Sequence, residues 1–254
     1  MDKNVNRRNF VKKATLGGLM SLCIPEIVSA TLKEEEMVKR QRLHKDDLVL
    51  FQGDSITDFH RDRSDNDPNS PEAMGVGYAA HACTDLLFQY PEDQLKIYNR
   101  GVSGNKVFQL ADRWEDDCIS LKPDVLSILV GVNDFWHTLV RDYKGTAETY
   151  RKDYRELLKR TKEKLPDVEL IIGEPYAIPG VKSVDESWFP AFNEYQEASR
   201  EIAEEFNAIF IPYQKIYNKA LKHAPGGYWT IDGVHPTMAG AGLMAEAWMK
   251  TIRG

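Results

Sequence analysis

The sequence has few cysteines and no pattern of closely spaced metal ligands. Three of its 254 residues are cysteines, at positions 23, 83 and 118, and none belongs to a Cys/His set with the spacing of a zinc site. Cys83 and Cys118 lie in apolar helical patterns, where buried free thiols are common. An exported protein can form a disulfide between them, but their spacing does not indicate one. We therefore expect no metal and no other cofactor.

Positive charge and long hydrophobic runs are also scarce. The chain has 33 Lys and Arg against 39 Asp and Glu, a net charge of −6, which argues against nucleic acid as a partner. The apolar stretch at 14–24 is too short to cross a bilayer, so we expect no stable membrane insertion. The glycine-containing segment 101–106 lacks the Gly-Lys-Ser/Thr ending of a nucleotide phosphate loop.

The first thirty residues have the layout of an export signal. Arg7 and Arg8 precede the apolar stretch, and a small-residue site ending at Ala30 follows it, so we predict cleavage near Ala30 and a protein located in the periplasm or outside the cell. An uncleaved amphipathic anchor is the alternative. Residues 31–46 are predicted to form a charged surface arm, and residues 47–254 a single domain.

Strand-like and helical patterns alternate along the domain, which predicts an α/β fold with a parallel sheet covered on both faces. The predicted strands are 48–51, 95–99, 125–130, 169–173 and 208–211. The predicted helices are 77–89, 107–119, 147–164, 189–206 and 237–252. Two long connections, 57–76 and 174–188, follow strand ends and are candidates for pocket walls or lids, with ordinary surface loops as the alternative.

Ser55 is the candidate nucleophile. It follows the apolar run 48–51 within Gly-Asp-Ser-Ile, a sequence that on its own is also ordinary turn chemistry. A sharp turn at the carboxyl end of a parallel strand, however, is where open α/β sheets expose nucleophiles. Near the other end of the chain, Asp232 and His235 provide a carboxylate and a base, which a serine nucleophile requires.

Two further strand ends provide candidate donors for an oxyanion hole, to which the backbone of Ser55 would also contribute. Gly104 allows a backbone N–H to approach a bound oxyanion closely, and Asn133 offers a side-chain amide. A helix N-cap is the alternative role for Asn133.

Spacing alone leaves a rival dyad, because Asp134 and His137 repeat the Asp-x-x-His pattern of Asp232 and His235. We prefer the later pair because Pro236 is suited to the first turn of the following helix, which leaves that pair on a loop. His137 is then a residue of the pocket rim or the surface. The candidate substrate contacts are Asp54, Trp136, His137, Trp188 and Trp229. For the three tryptophans, packing in the core is the alternative role.

These motifs resemble the SGNH subgroup of the GDSL esterase/lipase family. The family's Ser, Gly, Asn and His positions match Ser55, Gly104, Asn133 and His235, with Asp232 as the carboxylate, and the resemblance extends from about residue 47 to 252. It implies a three-layer α/β/α fold with a flavodoxin-like five-stranded parallel sheet in the order 2-1-3-4-5. It also implies assembly into a homo-oligomer.

The blocks at 53–58, 101–105, 111–115 and 132–136 are similar to the acetylxylan-esterase branch of this family. The resemblance implies a serine esterase that hydrolyses short-chain acetyl esters, with a small-molecule or glycan ester such as acetylated xylan as the substrate and an acyl-enzyme on Ser55. A lipase, lysophospholipase or thioesterase of the same family is the alternative. A glycan-binding module on an inactive hydrolase scaffold is the non-enzymatic alternative.

Overall fold

Five apolar runs form one parallel sheet in the computed structural model, which describes residues 23–34 and 40–253. Most of the predicted leader lies outside the described residues. In chain order the strands are β1 (Gln41–Arg42), β2 (Leu48–Gly53), β3 (Lys96–Asn99), β4 (Val125–Leu129), β5 (Glu169–Gly173), β6 (Ile209–Ile211) and β7 (Ile252–Arg253).

The main sheet has the order β3-β2-β4-β5-β6, and every neighbouring pair is parallel. Counted along the chain, this is the order 2-1-3-4-5, so the predicted fold class is confirmed. All five residues of β4 are buried, as expected for a central parallel strand covered on both faces. The parallel arrangement brings the carboxyl ends of all five strands to one edge of the sheet.

Helices cover both faces of the sheet. They are α1 (Ile24–Glu34), α2 (Ser55–Asp58), α3 (Pro71–Met74), α4 (Tyr78–Gln89), α5 (Val107–Asp112), α6 (Trp114–Asp117), α7 (Val132–Val140), α8 (Ala147–Lys164), α9 (Asn193–Glu205), α10 (Tyr213–Ala220), α11 (Gly226–Trp229) and α12 (Met238–Met249). One layer contains α1, α4, α10 and α12, and the other contains α5, α7, α8 and α9.

A buried tryptophan fixes a helix in each layer. Trp248 of α12 donates from Nε1 to Oγ of Ser127 in β4, at 2.9 Å, and its ring lies against Phe51 of β2. On the other face, Trp114 donates to Oγ1 of Thr161 in α8, also at 2.9 Å. Because a buried indole N–H without a partner is costly, these two bonds fix which residues the helices pack against.

The structure differs from the predicted helices in three places. The predicted helix 107–119 is broken at Arg113, where the backbone leaves the helical region between α5 and α6. The segment predicted to begin a helix at 189 forms turns instead, and α9 begins only at Asn193. Pro236 does not start the last helix, because Thr237 is the N-cap of α12 and accepts a hydrogen bond from the N–H of Gly240.

Helix α1 was not anticipated, and it crosses the predicted boundary at Ala30. It buries Ile27, Val28, Thr31 and Leu32 and packs against α10 and α12. At its C-terminal end Glu34 pairs with Nζ of Lys219 at 2.7 Å. Residues 31–34 of the predicted charged arm therefore belong to this helix, and residues 41–42 form β1, which pairs with β7 in a second, two-stranded sheet.

Candidate active site

Ser55 is held at the carboxyl edge of the sheet by an unusually tight turn. β2 ends at Gly53, whose φ is +155°, and a Cβ there would lie 2.2 Å from the carbonyl oxygen of Leu129. Only glycine fits both the conformation and the space. Oδ1 of Asp54 then accepts from the N–H of Ile56 and caps α2, which places Ser55 at the first position of that short helix.

The structure joins Ser55, His235 and Asp232 by a continuous chain of hydrogen bonds. Oγ of Ser55 is 2.8 Å from Nε2 of His235, and Nδ1 of His235 is 2.7 Å from Oδ2 of Asp232. The other oxygen of Asp232 accepts from the backbone N–H groups of Val234 and His235. The carboxylate therefore holds the proton on Nδ1 and leaves Nε2 free to accept the serine proton.

The protonation states of the dyad follow from these contacts. Burial acts to raise the pKa of Asp232, but hydrogen bonds from the side chain and backbone of His235 outweigh it and lower the pKa to about 2. Burial acts to lower the pKa of His235, but the hydrogen bond and charge of Asp232 outweigh it, and the net pKa is raised. Asp232 is thus an anion throughout the neutral range, and it stabilises the imidazolium that forms when His235 accepts a proton.

The side chain of Asp58 stabilises the turn that carries Gly104. Oδ2 of this carboxylate accepts from the backbone N–H of Ser103, at 2.8 Å, and from its hydroxyl, while Arg63 pairs with the same oxygen. Gly104 itself has φ +82°, and a Cβ on it would meet only the Cε1 atom of His137, at 4.0 Å. The space above Gly104 is therefore open, with a single imidazole as its neighbour.

Asn133 lies in the first turn of α7 and points at the same loop. Its amide Nδ2 donates to the carbonyl of Asn105 at 3.2 Å, which orients the side chain next to Gly104. Gly131, not Asn133, is the N-cap of α7, so the capping role considered for Asn133 is not the one observed.

The rival pair, Asp134 and His137, does not form a dyad. Nδ1 of His137 is 3.1 Å from Nζ of Lys106, whereas Oδ1 of Asp134 accepts from the N–H of Val107. Burial raises the pKa of Asp134 to about 7, and burial followed by the charge of Lys106 lowers the pKa of His137 to about 4. A histidine held beside an ammonium group is a poor general base.

The remaining candidate substrate contacts differ in exposure. Asp54 is fully buried, and Trp188 and Trp229 are only 2% and 4% exposed, respectively. Trp188 packs on Phe135 and Phe192, and Trp229 donates to the carbonyl of Ala224. The structure therefore gives these three residues capping and packing roles. Trp136 is half-buried, and its ring centroid lies 6.3 Å from that of His235.

A cavity of about 310 Å³ opens in front of the nucleophile. We call it the cleft, and it is lined by Ser55, Phe59, His60, Ser103, Ile231, Asp232 and His235. Phe59 and His60 come from the first of the two long connections. Within residues 23–34 and 40–253 no group of three or more His, Cys, Asp or Glu side chains is arranged to hold a metal ion, and no helix there has the length and apolarity to span a membrane.

Three functional contacts were missed at the level of sequence. Asp58 braces the Gly104 turn, Lys106 contacts His137, and Arg113 donates to Oδ1 of Asn105 and to the carbonyl of Arg100. Asp58 and Arg113 lie in two of the blocks that resemble acetylxylan esterases, at 53–58 and 111–115, which was the available signal for them. For Lys106 no motif or spacing pattern marks the contact.

A three-layer α/β/α fold with this arrangement at the carboxyl edge is that of a serine hydrolase. Comparison with known proteins agrees: residues 51–243 match the GDSL-like lipase/acylhydrolase family. The chain belongs to this family.

Three comparisons show how close the similarity is. An acetylxylan esterase from Geobacillus stearothermophilus is 34% identical over 208 residues, which cover 80% of this chain and 93% of that protein. A protein from Parabacteroides merdae, described as a GDSL-like lipase of unproven function, is 51% identical in sequence. Its crystal structure matches 84% of this chain and 98% of that chain, with a TM-score of 0.82. A crystal structure of the Geobacillus acetylxylan esterase is 31% identical, covers 83% and 96%, and gives a TM-score of 0.75.

Proposed function

We propose that this protein is a serine esterase that removes acetyl and other short acyl groups from carbohydrates such as xylan. The observation that carries the proposal is the hydrogen-bonded chain Ser55–His235–Asp232 at the wall of the cleft. The similarity to an acetylxylan esterase over most of both chains supports the choice of substrate class. A cleft of about 310 Å³ suits a small acyl group.

The proposed reaction proceeds in two halves. Oγ of Ser55 attacks the ester carbonyl carbon while its proton passes to Nε2 of His235, and the resulting tetrahedral intermediate expels the alcohol, which takes that proton. Water then attacks the acyl-serine and gives a proton to His235, and collapse of the second intermediate releases the acid and returns the proton to Ser55. Asp232 stays anionic throughout. Neither half requires a group beyond the side chains already described.

In this proposal the oxyanion is bound by the backbone N–H groups of Ser55 and Gly104 and by Nδ2 of Asn133. Removing one such donor costs about 10²–10³ in turnover in comparable sites.

The direct test replaces Ser55 by alanine. We expect Ser55→Ala to lose hydrolysis of p-nitrophenyl acetate and covalent labelling by a fluorophosphonate, because Ser55 has the only hydroxyl that hydrogen-bonds with His235 in the part of the chain described. Ser64→Ala, which changes a serine outside the cleft, is the matched control and should keep both. Full activity in Ser55→Ala would exclude the serine mechanism.

A second candidate is a lipase, lysophospholipase or thioesterase of the same family. One observation favours it: Phe59, which lines the cleft, also borders an apolar groove of about 650 Å³ together with Val76, Ala80 and Met238. Rates on p-nitrophenyl esters of increasing acyl length separate the candidates. A maximum at acetate supports the carbohydrate esterase, and a maximum at octanoate or longer supports the lipase. Acetate release from acetylated xylooligosaccharides then identifies the glycan.

We further propose that the protein is exported, with its leader cleaved near Ala30, and that it forms a homo-oligomer. The twin-arginine layout of the leader supports export, and the resemblance to the esterase branch supports assembly. N-terminal sequencing of the exported protein and light scattering of the purified protein are the respective tests.

A further inference from the structure

A lysine and a histidine that the proposed reaction does not use lie together beside the oxyanion-hole loop. Nζ of Lys106 is 3.1 Å from Nδ1 of His137, and the two residues are 8% and 7% exposed. The ammonium of Lys106 also lies over the rings of Phe108 and Tyr143, with centroids at 5.5 and 5.0 Å. Two polar side chains are thus buried together, and their mutual hydrogen bond offsets part of the cost of removing them from water.

The contact determines the tautomer of His137. An ammonium group has donors and no acceptor, so Nδ1 of His137 must accept its hydrogen bond and the ring proton must sit on Nε2. The imidazole is also neutral, since burial and the neighbouring charges of Lys106 and Arg141 lower its pKa to about 4. The outcome is a neutral imidazole with its N–H donor on Nε2.

That donor has no acceptor in the part of the chain that the structure describes. Among residues 23–34 and 40–253 no group hydrogen-bonds with Nε2 of His137, and the fully buried polar atoms that lack a partner belong to other residues. Nε2 therefore reaches accessible space. Cε1 of the same ring is the nearest atom to the open side of Gly104, at 4.0 Å from a Cβ placed there. His137 also follows Asn133 by four residues in α7, so the two share a face of that helix.

We propose that Nε2–H of His137 donates a hydrogen bond to an oxygen of the bound ester, and that Lys106 is the positioning residue that keeps the proton on Nε2. The proposal rests on the esterase function proposed above. The acceptor is either the acyl carbonyl oxygen or a hydroxyl of the carbohydrate. Both are uncharged acceptors, which a neutral donor matches without the desolvation penalty of an ion.

The first experiment compares His137→Phe, which keeps a ring but has no donor, with the matched control His223→Phe at an exposed histidine. We expect kcat/KM of His137→Phe to fall about 3- to 10-fold, the range of one neutral hydrogen bond. A fall on p-nitrophenyl acetate identifies the carbonyl oxygen as the acceptor, and a fall on acetylated xylooligosaccharides alone identifies a sugar hydroxyl. Unchanged kcat/KM on both substrates overturns the proposal.

The second experiment tests the role of Lys106. In the wild type, long-range ¹H–¹⁵N correlation spectra should show His137 protonated on Nε2 alone. Lys106→Met should give a mixture of the two tautomers and a loss of kcat/KM no larger than that of His137→Phe, and Lys106→Arg should restore both readouts. A proton found on Nδ1 in the wild type overturns the proposal even if every variant fails to fold.

Fluorophosphonate labelling keeps this inference apart from the proposed function. Ser55 should still be labelled in His137→Phe, because its base, His235, is untouched. Activity retained by Ser55→Ala refutes the serine esterase mechanism, whereas unchanged kinetics in a labelled His137→Phe refute only the role of His137.

Discussion

Gly53 is the residue on which the position of the nucleophile depends most directly. Its φ of +155° and the 2.2 Å between a Cβ there and the carbonyl of Leu129 leave no room for a side chain. The turn that presents Ser55 therefore cannot be kept with any other residue at position 53. Backbone strain of this kind is common at functional turns.

We predict that Gly53→Ala destabilises the protein by roughly 2–4 kcal/mol, from strain at positive φ together with displacement of the neighbouring strand. The loss of ester hydrolysis should exceed the loss of folded protein, because Ser55 moves with the turn. Urea denaturation and kcat/KM measure the two effects. Gly242→Ala is the control: a Cβ there meets nothing within 4 Å in α12, so stability should be unchanged or slightly higher. Equal behaviour of the two variants contradicts the prediction.

In the proposed reaction, Asp232 determines both the pH range and the rate. Because the pKa of His235 is raised above its ordinary value of about 6.5, activity should fall as the pH drops through that raised pKa and His235 becomes protonated. Asp232→Asn removes the charge that favours the imidazolium, so the acid limb should move to lower pH. Turnover should fall by roughly 10²–10⁴, since the wrong tautomer of His235 becomes available.

The profile of kcat/KM between pH 4 and 9 measures both effects. A comparison with Asp134→Asn provides the control, because Asp134 contacts Val107 and not His235. An acid limb that stays in place in Asp232→Asn would contradict the assignment of this carboxylate.

At the scale of single elements, helix α1 is the clearest departure from expectation. Its residues were assigned partly to a leader and partly to a charged arm, yet Ile27 and Val28 are buried against α10 and α12. A leader pattern and the first turns of an amphipathic helix are alike in sequence, because both are short and apolar. Cleavage near Ala30 stays a prediction, and it would remove the part of α1 that carries Ile27 and Val28.

We predict that a chain starting at Thr31 is less stable than one starting at Ile24 by roughly 3–6 kcal/mol, since burying one aliphatic side chain contributes about 1.5–3 kcal/mol and Ile27 and Val28 are both lost. Chemical denaturation of both chains provides the measurement. Ile27→Asp in the longer chain should reproduce the loss, while Glu26→Gln, at an exposed position, should not. Equal stability of the two chains would mean that α1 contributes nothing to the folded domain.

The break between α5 and α6 illustrates why another element was not predictable. The apolar pattern from 107 to 119 continues through Arg113, whose sequence gives no sign of a helix end. In the fold, however, its guanidinium turns inward to Asn105 and to the carbonyl of Arg100. These contacts serve the Gly104 turn and outweigh the local preference for a continuous helix.

At the scale of the whole molecule, the strands were predictable because buried parallel strands are nearly continuous apolar runs, and Val125–Leu129 is the clearest case. That Ser55, Gly104 and Asn133 lie on loops at one edge of the sheet was predictable from their positions after parallel strands. The strand order came from the family resemblance. The Lys106–His137 contact could not be predicted, since it joins residues 31 apart through packing that leaves no periodic signal.

The pairing of β1 with β7 also determines where the C-terminal strand lies relative to Ser55. Gln41 and Ile252 are neighbours in that ladder, and Gln41 shares a surface hollow with Asp47, Asp124 and Glu169, at the starts of three central strands. The C-terminal strand β7 and its partner β1 therefore lie at the edge of the sheet opposite Ser55. A tag or surface attachment made through β7 would leave the edge that carries Ser55 facing away from the point of attachment.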